Sequence, residues 1–279
     1  MSRCRKCMHL FLAVFLLAVF YQPLFAAEDK GKKKNEDYSD EPWETAGVYL
    51  GGYFATVDSR LSLGLAGVGA RVDAEDALGL DDEVSVFRGD AFWRITRRNR
   101  MDFLYYDLSR DSKGFLGVEI PDGEGGTIPI GTPSRTKYDF RLFKATWAYS
   151  FFKDHRFDLA AGLGVYVLDV DFKLEAGGDK VEDTAFTLPL PVIALKGSFA
   201  LTPKWILRQH VDWFYVEVGD YTGNIVDAGV YLEYNIWKYL GAGLGYNSVY
   251  MKVSHDDDDF LSEIEMRYSG LQLYIKGYF

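Results

Sequence analysis

Three histidines follow the apolar N-terminal segment: His155, His210 and His255. The last sits in Ser254-His255-Asp256, the residue types of a nucleophile, a general base and an orienting acid. Adjacency in sequence is not triad geometry, so this run does not by itself make a hydrolytic site. A larger set is ionic. Arg88, Asp90 and Arg94 recur at even spacing, and Lys144, Lys196, Arg208, His210, Asp212, Asp227, Glu233 and Lys276 occupy the polar side of later alternating segments. Charges of both signs that share one interior must pair, because an ion taken from water unpaired is costly.

Carboxylates also cluster between the alternating segments. Asp73, Glu75, Asp76, Asp81, Asp82 and Glu83 form one group; Glu119, Asp122 and Glu124 a second; Glu175, Asp179, Glu182 and Asp183 a third; Asp256 to Asp259 a fourth. Such oxygens suit hard divalent cations, although a solvated, self-repelling surface needs no ligand. The run Asp256-Asp257-Asp258-Asp259 lacks the alternation and glycine of a helix-loop-helix calcium site. No phosphate loop, nucleophile elbow or metal-ligand spacing occurs. The expectation is no cofactor, no dedicated metal and no catalytic residue.

Residues 1–26 read as a secretory signal: Arg3, Arg5 and Lys6 precede an apolar run from Leu10 to Phe20, and Ala26 and Ala27 follow. An uncleaved anchor is the alternative, but it needs ~20 apolar residues. Both cysteines, Cys4 and Cys7, fall inside this segment, so the remainder can form no disulfide or thiolate site. Removing its three basic residues turns 31 basic against 41 acidic residues into 28 against 41, a net charge of −13. A nucleic-acid partner is thereby disfavoured. Residues 27–42 are almost wholly charged or polar and read as a flexible tail, a partner-binding arm being the sharper reading.

From residue 43 to 279 the chain falls into ten strand-like segments: 46–62, 84–97, 100–114, 136–152, 156–174, 188–201, 205–218, 224–236, 240–254 and 263–279. Short links alternate with long ones at 63–83, 115–135, 175–187 and 255–262. An even number of strands, joined alternately by short and long connections, is the plan of an up-and-down transmembrane β-barrel. The faces agree with it. Phe143, Ala145, Trp147, Tyr149 and Phe151 oppose Lys144, Thr146 and Ser150, and the same split recurs from Phe157 to Val167, Ile193 to Leu201 and Val226 to Ile236. Five or six alternate apolar residues per strand match the ~25 Å band that such barrels present to lipid. A soluble sandwich would bury similar faces, but aromatics at 16% with 19 tyrosines fit the aromatic girdles of a barrel.

The final stretch, Met266 to Phe279, alternates too, with Leu271, Leu273, Ile275 and Phe279 on one side. This ending resembles the C-terminal strand of bacterial outer-membrane barrels, which implies recognition by the barrel-assembly machinery through those four residues. With the ten strands, the chain resembles the small Gram-negative outer-membrane barrels of the OmpA-transmembrane, OmpX and OmpW kind. Val72 to Asp82 and Leu188-Pro189-Leu190-Pro191 look like segments of uncharacterised proteobacterial barrel proteins. The resemblance implies an outer-membrane location, contact with lipopolysaccharide and other lipids, and a monomer; no activity transfers with it. The expected lumen is polar and mostly filled by side chains, with a structural or surface-interaction role. A narrow conduit and a lipid-modifying enzyme are the alternatives. Glycines 241, 243 and 245, beside 162 and 164, leave room on one wall in this reading.

Overall fold

Alternation produces strands wherever it was read. The computed structural model describes residues 43–65, 68–73, 83–117, 119–121, 127–218, 221–257 and 260–279. The signal segment, the charged tail, Glu75, Asp76, Asp81, Asp82, Asp122, Glu124, Asp258 and Asp259 lie outside the described residues. The strands are β1 (Ala46–Leu65), β2 (Val68–Asp73), β3 (Glu83–Arg94), β4 (Asn99–Phe115), β5 (Ile120–Pro121), β6 (Thr127–Ile128), β7 (Pro133–Lys153), β8 (Phe157–Ala176), β9 (Asp179–Ala200), β10 (Trp205–Val218), β11 (Tyr221–Trp237), β12 (Leu240–Asp257) and β13 (Phe260–Tyr278). Ten of them, β1, β3, β4 and β7 to β13, form a closed antiparallel barrel, and β13 returns to β1 from Gly47↔Tyr278 to Leu65↔Phe260. Closure leaves no free edge at the level where the wall is complete. Among the described residues no helix is long and apolar enough to cross a membrane.

Three tight turns at the end that carries Trp43 and Phe279, here the near end, are tied by a side-chain oxygen at their start. Thr96 Oγ1 accepts from the Asn99 amide, Asp154 Oδ1 from those of Arg156 and Phe157, and Thr202 Oγ1 from those of Lys204 and Trp205. Trp93, Trp147, Tyr149, Phe151, Trp205 and Trp237 face outward close to these turns.

The far end corrects the expected loop plan. The stretch 175–187 is not a loop: β8 and β9 run on to Ala176 and Asp179, joined by Gly177 and Gly178 at φ +66° and +99°, a left-handed turn that glycine adopts without strain. Likewise β1 continues to Leu65 and β2 folds back on it, inside the stretch read as the first loop. Polar, weakly alternating strand cannot be told from loop by hydropathy. Glu175 and Asp179 are therefore strand residues rather than parts of an acidic loop.

The interior corrects a second expectation, because the apolar and polar faces exchange sides partway along the wall. On β7 the outward residues are apolar from Phe143 to Phe151 and charged at Arg135, Lys137, Asp139 and Arg141; inward, Tyr138, Phe140 and Leu142 give way to Lys144, Thr146 and Ser150. The neighbours switch at the same height. The outward row Asp107↔Arg141↔Asp169↔Thr187 crosses four strands in register, with Arg141 Nη2 2.9 Å from Asp169 and 3.1 Å from Asp171. Below that row the barrel is apolar outside and polar inside; above it, the reverse. The lumen is thus polar only in its near half. Its far half is packed with Tyr53, Tyr106, Leu108, Phe140, Leu142, Leu168, Met251, Met266 and Tyr268 among others. Where no lipid surrounds the wall, the hydrophobic effect drives apolar faces inward as in any soluble protein.

Pairing changes there as well. β3 and β4 pair only from Arg94↔Arg100 to Arg88↔Tyr106, and β9 and β10 only from Ala200↔Ile206 to Ile193↔Trp213. Pro191 and Pro189 follow just above the second seam, and proline cannot donate to a ladder. Beyond both seams the wall parts into two sheets that enclose the apolar core, a sandwich set on a barrel.

The outward band makes a test of hydrocarbon contact. Val230→Lys is expected to lower the free energy of folding into lipid vesicles by ~2–4 kcal/mol, whereas Thr187→Lys, in the outward charged row above the band, should cost ~0–1 kcal/mol. Urea titration of both in vesicles measures this, and equal tolerance would mean that β11 does not meet lipid. Tyr231, the inward neighbour of Val230, would be a poor comparator, since its ring covers Gly245 and stacks on His210 at 5.7 Å.

Candidate functional site

In a strand the parity that puts one residue outward puts the next inward, so the eleven ionic residues named from sequence can be located one by one. Arg88, Asp90, Arg94, Lys144, Lys196, Arg208, His210, Asp212, Asp227, Glu233 and Lys276 all project into the near half of the lumen. Leu271, Leu273, Ile275 and Phe279 face outward, each more than half exposed. The eleven do not form one cluster but three.

At the near end lies a clasp of two cations and two carboxylates. Lys276 Nζ is 2.7 Å from both Glu44 Oε1 and Glu233 Oε2; Arg208 reaches the same two acids, Nη2 to Glu44 at 2.6 Å and Nε to Glu233 at 2.9 Å. The Tyr274 hydroxyl donates to the other Glu233 oxygen at 3.0 Å. Beside it, Arg94 pairs with Asp158 and donates from Nε to the Glu44 carbonyl at 3.2 Å. Trp43 Nε1 donates to the Asp154 carbonyl at 2.6 Å and packs with Ala200 and Ile206. Trp43 and Glu44, just ahead of β1, thus cross the near mouth.

At mid-height Lys144 Nζ sits between Asp212 and Asp227. The Tyr166 hydroxyl is within hydrogen-bond reach of both carboxylates, and Asp227 also receives His210 Nε2 at 3.2 Å and Asn247 Nδ2 at 2.7 Å. Arg88 links this group to a bidentate contact with Asp90, both bonds 3.0 Å, and to Asn247 Oδ1 at 3.1 Å. His210, Asp212 and Asp227 bring ligand atoms within 4.8 Å of one another. A divalent ion there would have to displace the Lys144 ammonium, which already supplies the positive charge.

The third group spans the barrel: Lys196 Nζ is 2.6 Å from Asp102 Oδ2, and Arg100 holds Oδ1 from Nη2 at 2.6 Å. These groups wall a chamber of about 110 Å³. The glycine wall is not where the room lies. A methyl group on Gly243 would collide with the Tyr274 ring, and one on Gly245 with the Tyr231 ring; these glycines are seats for tyrosines.

Counted over these pairs, seven cations, Arg88, Arg94, Arg100, Lys144, Lys196, Arg208 and Lys276, meet seven carboxylates, Glu44, Asp90, Asp102, Asp158, Asp212, Asp227 and Glu233. Sequence reasoning missed four of the fourteen. Arg100 and Asp102 share the parity of the inward Leu104 and could have been found from it, and Asp158 that of Ala160. Glu44 precedes the first strand and carries no periodic signal.

Of the other histidines, His155 is exposed in a near-end turn. His255 lies in β12 opposite Tyr221, and its side chain is outside the described residues.

No family model matches this sequence, and no curated protein is similar to it. Among solved structures, the chain is similar to the outer membrane protease OmpT from Escherichia coli, at 11% identity and a TM-score of 0.46, over 84% of this chain and 97% of that one. It is similar to the translocator domain of the autotransporter NalP from Neisseria meningitidis at 10% identity and 0.44, over 84% and 89%. The outer membrane protein OprG from Pseudomonas aeruginosa gives 10% identity and 0.32, over 86% and 99%. No property of these proteins carries over to this chain.

Proposed function

We propose that the chain is a Gram-negative outer-membrane protein whose barrel is shut by its own side chains and serves a structural or surface-interaction role. The observation that carries this reading is the stacking of two seals in one lumen: a charge-balanced polar half and, above it, an apolar core. Ions crossing the first would have to part buried pairs, and crossing the second would mean entering a medium with nothing to solvate them. The apolar outward band sets the depth in the bilayer, and the collar of paired charges above it sits at the height of lipid headgroups. Lipopolysaccharide is the neighbour expected there. The chain acts as a monomer, and Leu271, Leu273, Ile275 and Phe279 present the strand read by the assembly machinery.

The same geometry supports a protein without catalytic activity. Among the described residues His210 meets Asp227 and the Tyr231 ring, an arrangement of a base without an aligned nucleophile. Purified protein in planar bilayers should show no stepwise conductance, and lipid A from cells expressing it should show no mass shift. Discrete openings whose selectivity changes with Arg94→Gln would replace this reading with the conduit, and a mass shift lost in His255→Ala with the enzyme.

A further inference from the structure

We infer that the lumen chamber is a binding site for a small oxyanion. Five cations face it, Arg88, Arg100, Lys144, Lys196 and Arg208, against three carboxylates, Asp90, Asp102 and Glu233. The acids that complete the balance, Glu44, Asp158, Asp212 and Asp227, are not among its lining residues. The imbalance concentrates at one place. Arg100 and Lys196 share the single carboxylate of Asp102, and Lys196, with three N–H groups, makes only that one hydrogen bond among the described residues.

The second observation is independent of charge. Tyr49 and Tyr231, 8% and 9% exposed, line the chamber, and among the described residues their hydroxyls have no hydrogen-bond partner. A buried hydroxyl left unpaired costs free energy that a ligand recovers. Gln272 Oε1, also on this wall and unpartnered, is an acceptor, which suits an oxyanion that still carries a proton. Hydroxyl and ammonium donors with one acceptor describe hydrogen phosphate better than sulfate; a carboxylate shares the donors but not the use of Gln272. The inference does not depend on whether the barrel conducts, and binding and conductance are read separately.

The test is calorimetric titration of the full folded chain in detergent with inorganic phosphate, sulfate and acetate at constant ionic strength. Saturable binding is expected, tightest for phosphate. Lys196→Gln should weaken it about tenfold, the worth of one charged hydrogen bond. Asp102→Asn should tighten it, since it frees two cations, and this opposite sign is one that simple damage to the barrel would not produce. Tyr49→Phe, which removes an unpartnered oxygen and so should fold normally, should weaken binding several-fold and decides the matter if Asp102→Asn does not fold. No saturable binding to wild type, weakening by both charge variants, or an unchanged affinity in Tyr49→Phe would each overturn the proposal.

Discussion

Replacing Lys144 by methionine should lower the free energy of folding into bilayers by about 3–5 kcal/mol, the cost of leaving buried charge without its partner. Lys144 is almost wholly buried, and its ammonium is the one cation within salt-bridge distance of Asp212 among the described residues. Asp227 keeps His210, Asn247 and the Tyr166 hydroxyl, but among the described residues Asp212 would keep only its share of that hydroxyl. The methylene stem is retained by methionine, so the loss is one of charge rather than of packing. Adding Asp212→Asn should recover much of the loss, because the pair is then removed together, and a coupling of 0.5–3 kcal/mol is the usual range for residues in contact. Urea unfolding in lipid vesicles supplies all four free energies. If Lys144→Met costs under 1 kcal/mol, or if the second change adds its full penalty to the first, the lumen is wet enough to screen its ions and the sealed reading loses its electrostatic half.

The strands were legible because their residues alternate, and the lumen was legible because strand parity, once anchored by a face such as Phe143 to Phe151, assigns every side chain along a segment to one side. Parity does not choose partners. Nothing in the sequence places Lys144 against Asp212 rather than Asp227 or Asp90, since that depends on strand order, tilt and stagger. The exchange of faces was visible in principle at Leu142-Phe143, two adjacent apolar residues where alternation slips phase. Taken as one continuous pattern, the segment instead suggested a polar lumen throughout. The same uniform reading made loops of 175–187, whose polarity marks a wall above the membrane. Glu44 was invisible for another reason: a single residue ahead of the first strand has no period, and only the closed barrel shows that the chain there crosses a mouth lined by Arg208 and Lys276.

That mouth is where a second large loss is expected. Lys276 is fully buried, and its ammonium joins an acid before β1 to one on β11 while sitting on β13 itself. Lys276→Met leaves Glu44 and Glu233 with Arg208 alone, one buried negative charge in excess, and should cost about 3–5 kcal/mol. Glu44→Gln has the opposite imbalance, two cations on one carboxylate, and should also destabilise. It keeps side-chain shape and leaves the Glu44 carbonyl to Arg94, so its loss should be the smaller. Together the two changes restore a neutral cluster of Arg208 and Glu233, still held by the 2.9 Å contact and by the Tyr274 hydroxyl. The double variant should therefore be more stable than the sum of the singles implies, by up to ~3 kcal/mol. The clasp also spans the seam where β13 meets β1, the last pairing that barrel closure requires. Lys276→Met should accordingly slow the appearance of the folded, heat-resistant species on gels, whereas Val230→Lys, far from the seam, should act mainly through insertion into lipid. Additive penalties for Lys276→Met and Glu44→Gln would show that the two side chains do not share a charge-balanced cluster, and the near end would then be open to water.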